Sequence, residues 1–275
     1  MKYLYKKRKR MDLSKIKMVV TDMDGTLLNS KHEVSDRFFE LHQNLKDKGI
    51  QFVAASGRQY NSIIDKLSPI KNDIIVIAEN GGFVMQQNKE LLSTPLPSSI
   101  KNNILNLIDT MKDVHPVLCT KNKAYLLNSS KEFAQKLKEF YSAYEMLEDL
   151  KDYKGEVLKV AIYHFESSEH YIYPHVRHLE ENIKVKVSGQ NWLDLSDFNA
   201  HKGHALKKVQ ELYHILPEET MVFGDYNNDL EMLAMSKYSF AMANAHKNVK
   251  ETANYRTESN DNFGVERILE KLIRS

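Results

Sequence analysis

Asp22 and Asp24 stand two residues apart, directly after the apolar run Met18-Val19-Val20 and just before Gly25. Residues i and i+2 of an extended segment point the same way, so both carboxylates can address one small volume. Crowded carboxylates repel each other, and a divalent cation relieves that repulsion. If one is a metal-bound nucleophile, the other can carry protons. Ser56 and Gly57 follow a second apolar run, Lys202 opens a helical pattern, and Asp225 follows a later apolar run with Asn228 and Asp229 one helical turn on. A hydroxyl, main-chain N–H groups at a helix start and an ammonium all suit a phosphoryl oxyanion. Taken singly, Ser56, Asp225 and Asp229 also look like helix caps, and Lys202 like a surface charge. Their succession on consecutive strand ends is what points to chemistry.

Two other metal readings fail on spacing. A calcium loop starting at Asp22 needs glycine at its sixth position, where Leu27 stands. His175 and His178 have no cysteine or third ligand beside them, which argues against zinc.

The elements that must position these groups are legible as periodicity. Met18 to Thr21, Ile50 to Ala55 and Ile74 to Ala78 read as buried strands, with helices expected at Val34 to Lys48 and Gln59 to Leu67. Strands and helices alternating in this way make a parallel sheet with crossover helices, whose ligands gather at the strand carboxyl ends. Asn80-Gly81-Gly82 marks a turn, and Phe83 to Met85 is expected to pair with Leu91-Leu92.

From about Ser98 to Asp197 the order changes. Helices are expected around Ile100 to Met111 and at Lys131 to Tyr141. A hairpin is expected from Val117 to Asn128, strands at Val157 to Phe165, Ile183 to Ser188 and Trp192 to Leu195, and a Pro174-broken helix at Glu169 to Glu181. Then His201 to Leu216 (helix), Thr220 to Phe223 (strand), Leu230 to Met235 (helix), Ser239 to Met242 (strand) and closing helices at Val249 to Ala253 and Val265 to Ile273 resume the first pattern. The expected fold is α/β: a Rossmann-like parallel sheet core, residues 17–84 and 198–275, with an inserted α+β cap domain, residues 85–197. Residues 1–16 are expected to form a basic, disordered tail.

Of the 275 residues, 39 are Lys or Arg and 37 Asp or Glu, a balance that points to neither nucleic acid nor an acidic lipid surface as partner. Cys119 is the only cysteine, so no disulfide forms within the chain, as fits a reducing cytoplasm. No apolar run approaches the roughly 18 residues of a membrane span.

The motifs together resemble the haloacid dehalogenase-like (HAD) superfamily of hydrolases, in particular the Cof-type branch (type IIB) with its large α+β cap. The matching stretches are DMDGTLL at Asp22 to Leu28, ASGR at Ala55 to Arg58, ENGG at Glu79 to Gly82, HKGHAL at His201 to Leu206 and GDYNNDLEML at Gly224 to Leu233. The tail segments MANAHKNVKETA and SNDNFGV match as well, so the resemblance covers Lys17 to Ile273. It implies a phosphatase acting on small phosphorylated metabolites: sugar phosphates, flavin mononucleotide or pyridoxal phosphate.

By that resemblance Asp22 is the nucleophile that becomes a phosphoaspartate, and Asp24 the general acid and then base. Magnesium (Mg2+) is held by Asp22, the Asp24 main-chain carbonyl and Asp225. Ser56 and Lys202 clamp phosphoryl oxygens, with main-chain groups at Met23 and Gly57 and the Asn228 side chain; Asp229 and Asn80 support them. The same fold also serves sugar phosphomutases. A phosphoaspartate switch of the response-regulator kind is disfavoured by the large insert and by the order of the acidic pair, and a binding scaffold by the complete set of motif residues.

Overall fold

The computed structural model describes residues 12–128, 131–137, 141 and 143–275. Strand β1 (Met18–Asp22) leads to helix α1 (Asp36–Asp47), β2 (Gln51–Ala55), α2 (Tyr60–Lys66), β3 (Ile74–Ala78), β4 (Phe83–Gln86) and β5 (Lys89–Ser93). Then come α3 (Ser98–Ile108), β6 (His115–Cys119), β7 (Ala124–Leu127), α4 (Lys131–Leu137), β8 (Tyr144–Leu147) and β9 (Lys159–Tyr163). They are followed by α5 (Ser168–Tyr171), α6 (Tyr173–Val176), β10 (Lys184–Val187) and β11 (Trp192–Ser196). The chain closes with α7 (Lys202–Tyr213), β12 (Thr220–Gly224), α8 (Leu230–Ala234), β13 (Tyr238–Ala241), α9 (Lys247–Thr252), β14 (Tyr255–Arg256) and α10 (Gly264–Ile273).

The strands make an eight-stranded sheet, ordered β14-β13-β12-β1-β2-β3-β4-β5, and a six-stranded sheet, ordered β10-β11-β9-β6-β7-β8. In the first, every pairing from β14 to β3 is parallel, and β4 and β5 add an antiparallel edge. β1 lies in the middle, flanked by β2 and β12, and all five of its residues are buried. A strand covered on both faces requires the unbroken apolar run that the sequence shows. Helix α1 covers it with Phe38, Leu41 and Leu45 on one face; it starts where the Ser35 hydroxyl accepts from Phe38 N at 3.1 Å.

In the second sheet, side-chain alternation separates two faces. Val160, Ile162, Leu193 and Leu195 pack with Ile104, Leu105 and Ile108 of α3 into an apolar core. The opposite face carries Lys159, Ala161 and Tyr163 on β9 and Trp192, Asp194 and Ser196 on β11. Its apolar part packs with Phe133, Leu137 and Tyr141.

Two expectations change. Residues 12–16 are not a disordered tail: Leu13 and Ile16 are buried in the first core, and the Tyr238 hydroxyl donates to the Asp12 carbonyl. The i, i+3 spacing of the two apolar residues docks this segment. The basic run Lys2 to Arg10 lies outside the described residues, as do residues 138–140 of the helix expected at Lys131 to Tyr141. A boundary at 84/85 would cut β4, whose ladder continues through β5 to Ser93 in the first sheet; we propose drawing it between Ser93 and Ser98 instead. The remaining differences are omissions. β8 and β14 are short edge strands without a clear alternation, and periodicity does not reveal them. No helix among the described residues is long and apolar enough to cross a membrane.

Candidate active site

The order β12-β1-β2-β3 puts four parallel strand ends side by side. Asp22 ends β1, Ser56 follows β2, Glu79 and Asn80 follow β3, and Asp225 follows β12. Lys202, the first residue of α7, is fully buried against them. Its ammonium donates to Asp22 Oδ1 at 2.5 Å and to Asp229 Oδ1 at 2.7 Å. Asp229 Oδ2 accepts from the main-chain N–H groups of Asp225, at 2.9 Å, and Tyr226, at 3.1 Å. Asp229 is therefore the hub between the turn after β12 and the lysine.

Asp22, Asp225 and Asp229 each offer a carboxylate oxygen, and these oxygens lie within 4.8 Å of one another. Burial pushes the Asp22 carboxyl well above the usual carboxylate range; Lys202 opposes this, and Asp229 and Asp225 add to it. Burial likewise pushes Asp225 up to about 6, with Asp229 as the next cause. Burial alone would lower the Lys202 pKa, but Asp22 and Asp229 outweigh it and hold the ammonium charged. Two carboxylates share the ammonium and the part-buried Asp225 lies beside them, so the site holds more carboxylates than cations. A hard divalent cation suits this oxygen donor set. Since Asp229 already spends both oxygens on Lys202 and the backbone, Asp22 and Asp225 are the freer ligands.

Two glycines let this cluster close. Gly25 has φ +79°, and a Cβ on it would lie 2.3 Å from Asp225 Oδ2. Gly81 has φ +100°, and a Cβ there would lie 2.4 Å from the His201 carbonyl, so the turn after β3 meets the start of α7 only with glycine. In that turn Asn80 adopts φ +57°, and its Oδ1 accepts from Asn228 Nδ2 at 3.0 Å. Ser56 is buried, and its Oγ accepts from Arg58 N at 3.2 Å. The Met23 side chain is fully buried in the core, which leaves only its main chain to address a ligand.

Asp24 is held apart from the cluster. Arg58 donates to both of its oxygens, Nε to Oδ2 and Nη2 to Oδ1, each at 2.6 Å, and His32 Nδ1 lies 3.2 Å from Oδ1. Burial acts to raise the Asp24 pKa, but the Arg58 hydrogen bonds and charge, helped by His32, bring it below the usual carboxylate value. Sequence reasoning gave Arg58 and His32 no role. Arg58 sits two residues after Ser56, at the same strand end, and that placement was the available signal.

Asp22, Asp24, Ser56, Gly57, Asn80, Asp225 and Asn228 all line one cavity of about 880 Å³. Its far wall comes from the second sheet and includes Lys159, Lys186, Trp192 and Asp194. Lys159 bridges the two sheets, 3.0 Å from Glu79 Oε2 and 3.3 Å from Asp194 Oδ2, with all three residues buried.

The family model of the haloacid dehalogenase-like hydrolases matches residues 19–269. The 5-amino-6-(5-phospho-D-ribitylamino)uracil phosphatase YbjI of Escherichia coli is 34% identical over 265 residues, covering 94% of this chain and 97% of that protein. Among solved structures, SMU.1108c of Streptococcus mutans superposes with a TM-score of 0.85 at 29% identity, over 94% of this chain and 100% of that one. The subclass IIB sugar phosphatase BT4131 superposes with a TM-score of 0.80 at 20% identity, over 93% of this chain and 98% of that one, a likeness of fold.

Proposed function

The chain belongs to the haloacid dehalogenase-like hydrolases, and from that premise we propose that it is a magnesium-dependent phosphatase of small phosphorylated metabolites working through Asp22. The observation that carries this reading is the buried Asp22–Lys202–Asp229 chain beside Asp225, with Asp22 and Asp225 facing a cavity large enough for a metabolite. Phosphoryl transfer asks for an in-line nucleophile and neutralised oxygens rather than elaborate covalent machinery.

In this reading an Asp22 oxygen attacks phosphorus, the ester P–O bond breaks, and the leaving alkoxide takes a proton from Asp24. Water then attacks the phosphoaspartate, Asp24 takes its proton, and phosphate leaves with Asp22 restored. Lys202, Ser56, Asn228 and the main-chain N–H groups of Met23 and Gly57 hold the phosphoryl oxygens. Asp229 keeps Lys202 charged and aimed, and Asn80 positions Asn228. Asp22, Asp225 and the Asp24 main-chain carbonyl would hold magnesium, which would add further neutralisation of the transferring group. The Arg58 pair suits Asp24 as a base; acting first as an acid requires that pair to loosen as the ester enters.

The Escherichia coli relative is named for a ribitylaminouracil phosphate. Identity of 34% over nearly the whole chain supports placing that ester first among the substrates, ahead of sugar phosphates and flavin mononucleotide. The lone, buried Cys119 accords with action in a reducing cytoplasm. The test is phosphate release from a panel of phosphorylated metabolites, with magnesium or with EDTA. Magnesium-dependent release from at least one ester is expected; transfer of the phosphoryl group to another sugar instead of water would make the chain a mutase.

Two further outcomes follow. Asp225 must lose its proton to bind a cation, so magnesium affinity is expected to fall as pH drops below about 6. Without metal the sign is opposite. A folded-state pKa above the unfolded one favours folding most fully below the usual carboxylate pKa, and the gain is lost as pH rises through about 6. Thermal melts with and without magnesium check this: the metal-induced rise should shrink in acid, and an equal rise on both sides of pH 6 would contradict it.

Gly25→Ala forces a β-carbon into the space of Asp225. Displacing that carboxylate by about an ångström is expected to cost about a hundredfold in phosphate release. Near-native turnover would show that Asp225 does not need this position.

A further inference from the structure

The wall opposite the acidic cluster has a chemical pattern that phosphate chemistry does not use. Lys186 and Asp194 are direct partners in the antiparallel β10–β11 ladder, so their side chains leave the sheet on one face. Trp192, two residues before Asp194, shares that face, and all three line the cavity shared with Asp22 and Asp225. Lys159 is spent on Glu79 and Asp194, and Lys184 reaches Glu231 at 3.3 Å. Among the described residues no carboxylate pairs with Lys186. Its ammonium is partly desolvated; burial, and then the neighbouring Lys184, lower its pKa to about 8. Only Oδ2 of Asp194 is engaged among the described contacts.

Lys159 and Lys186 are balanced by Glu79 and Asp194, so the wall as a whole is neutral. A neutral wall gives no field for a second phosphate. What it offers is a donor and an acceptor side by side. The cavity, about 880 Å³, lies within the roughly 300–1,000 Å³ of sites that take drug-sized ligands. It has room for a ring beyond a phosphorylated chain.

We infer that Lys186 and Asp194 are specificity-determining residues that read the leaving group: Lys186 donates to a ring carbonyl, and Asp194 accepts from the adjacent ring N–H. The site then prefers phosphate esters whose leaving group carries a planar lactam or imide ring over plain polyol or sugar phosphates. This deepens the phosphatase reading and rests on it for the position of the phosphoryl end.

The test compares two esters that share a ribityl phosphate, 5-amino-6-(5-phospho-D-ribitylamino)uracil and ribitol 5-phosphate, in the wild type and in Lys186→Met. The readout is the ratio of kcat/KM for the ring ester over that for ribitol 5-phosphate. The wild-type ratio should be well above one. It should fall about tenfold or more in the variant, since a hydrogen bond to a charged group is worth roughly ten- to a hundredfold. Asp194→Asn, which keeps an oxygen acceptor but loses the charge, should lower the same ratio by a smaller factor. A wild-type ratio near one, or a ratio unchanged by Lys186→Met in a protein with native circular dichroism, overturns the proposal. If the wild type releases phosphate from neither ester, the phosphatase reading is decided separately, on the wider panel of esters. The ring preference is then decided by the ratio of the two dissociation constants, measured by calorimetry on the same proteins. A ratio favouring the ring ester that Lys186→Met reduces supports the pair, and equal binding of both esters overturns it.

Discussion

Asp22→Asn is expected to cut phosphate release by about 10⁴-fold or more, because it removes the attacking oxygen while keeping the side chain's shape; losing a nucleophile costs on this order in other hydrolases. The same change should not destabilise the metal-free protein. Asp22 and Asp229 share one ammonium and the part-buried Asp225 lies beside them, so the site holds more carboxylates than cations. Exchanging one carboxylate for an amide removes like-charge repulsion and leaves Lys202 paired with Asp229. The expected pair of results is lost turnover with a metal-free melting temperature equal to or above wild type, a functional site built at the expense of stability. A variant that loses activity and also melts well below wild type would mean that Asp22 is structural in a way the cluster does not account for. Phosphate release and a metal-free thermal melt on one preparation check both halves.

Lys202→Met is expected to do the reverse and cost stability first. The lysine is fully buried between Asp22 and Asp229. Removing one member of a buried ion pair leaves an uncompensated charge and costs about 3–5 kcal/mol. Two carboxylates are left here instead of one, so the cost should lie at the upper end of that range near neutral pH. Protonation of the abandoned carboxylates relieves it, so the deficit relative to wild type should narrow as pH falls. Urea unfolding at neutral and acidic pH measures both. A deficit under about 1 kcal/mol near neutral pH would show that the site relaxes or takes in water. Phosphate release should be lost wherever the variant remains folded, because the oxygens of the transferring group lose their buried cation.

How much of this was legible in the sequence depended on which physical signal each residue carries. β1, β2, β3 and β12 are covered on both faces, so their apolar runs stand out and the strand ends that follow them are located to within a residue. That is why the sequence places Asp22, Ser56 and Asp225, with Asp229 one turn on, at those strand ends. The sequence places Lys202 at a helix start after the insert, where α7 begins, but its complete burial is not foreseeable, since only the folded chain shows two carboxylates converging on it.

In the sequence Arg58 is part of a motif without a role of its own. Its partner Asp24 lies 34 positions away, and nothing local fixes which of several carboxylates a guanidinium will take. Residues 12–16 were assigned to a tail because the neighbouring basic run dominated the composition; the apolar pair Leu13 and Ile16 was the quieter and better signal. On the far wall, the alternation IKVKVS announced a half-buried strand and hence a polar face. Which way that face turned depended on the packing of the two sheets, so Lys186 and Asp194 acquire meaning only with the cavity between them.

If Asp22 itself carries the phosphoryl group, trapping that state shows it most directly. Wild-type protein mixed with magnesium and its best ester would be acid-quenched within a turnover, reduced with borohydride and digested for mass spectrometry. An acyl phosphate at position 22 is reduced to homoserine, so the account predicts that conversion at Asp22 in the wild type and none in Asp22→Asn. Phosphate release with Asp22 unmodified at every quench time, or conversion of Asp24 or Asp225 instead, would contradict it.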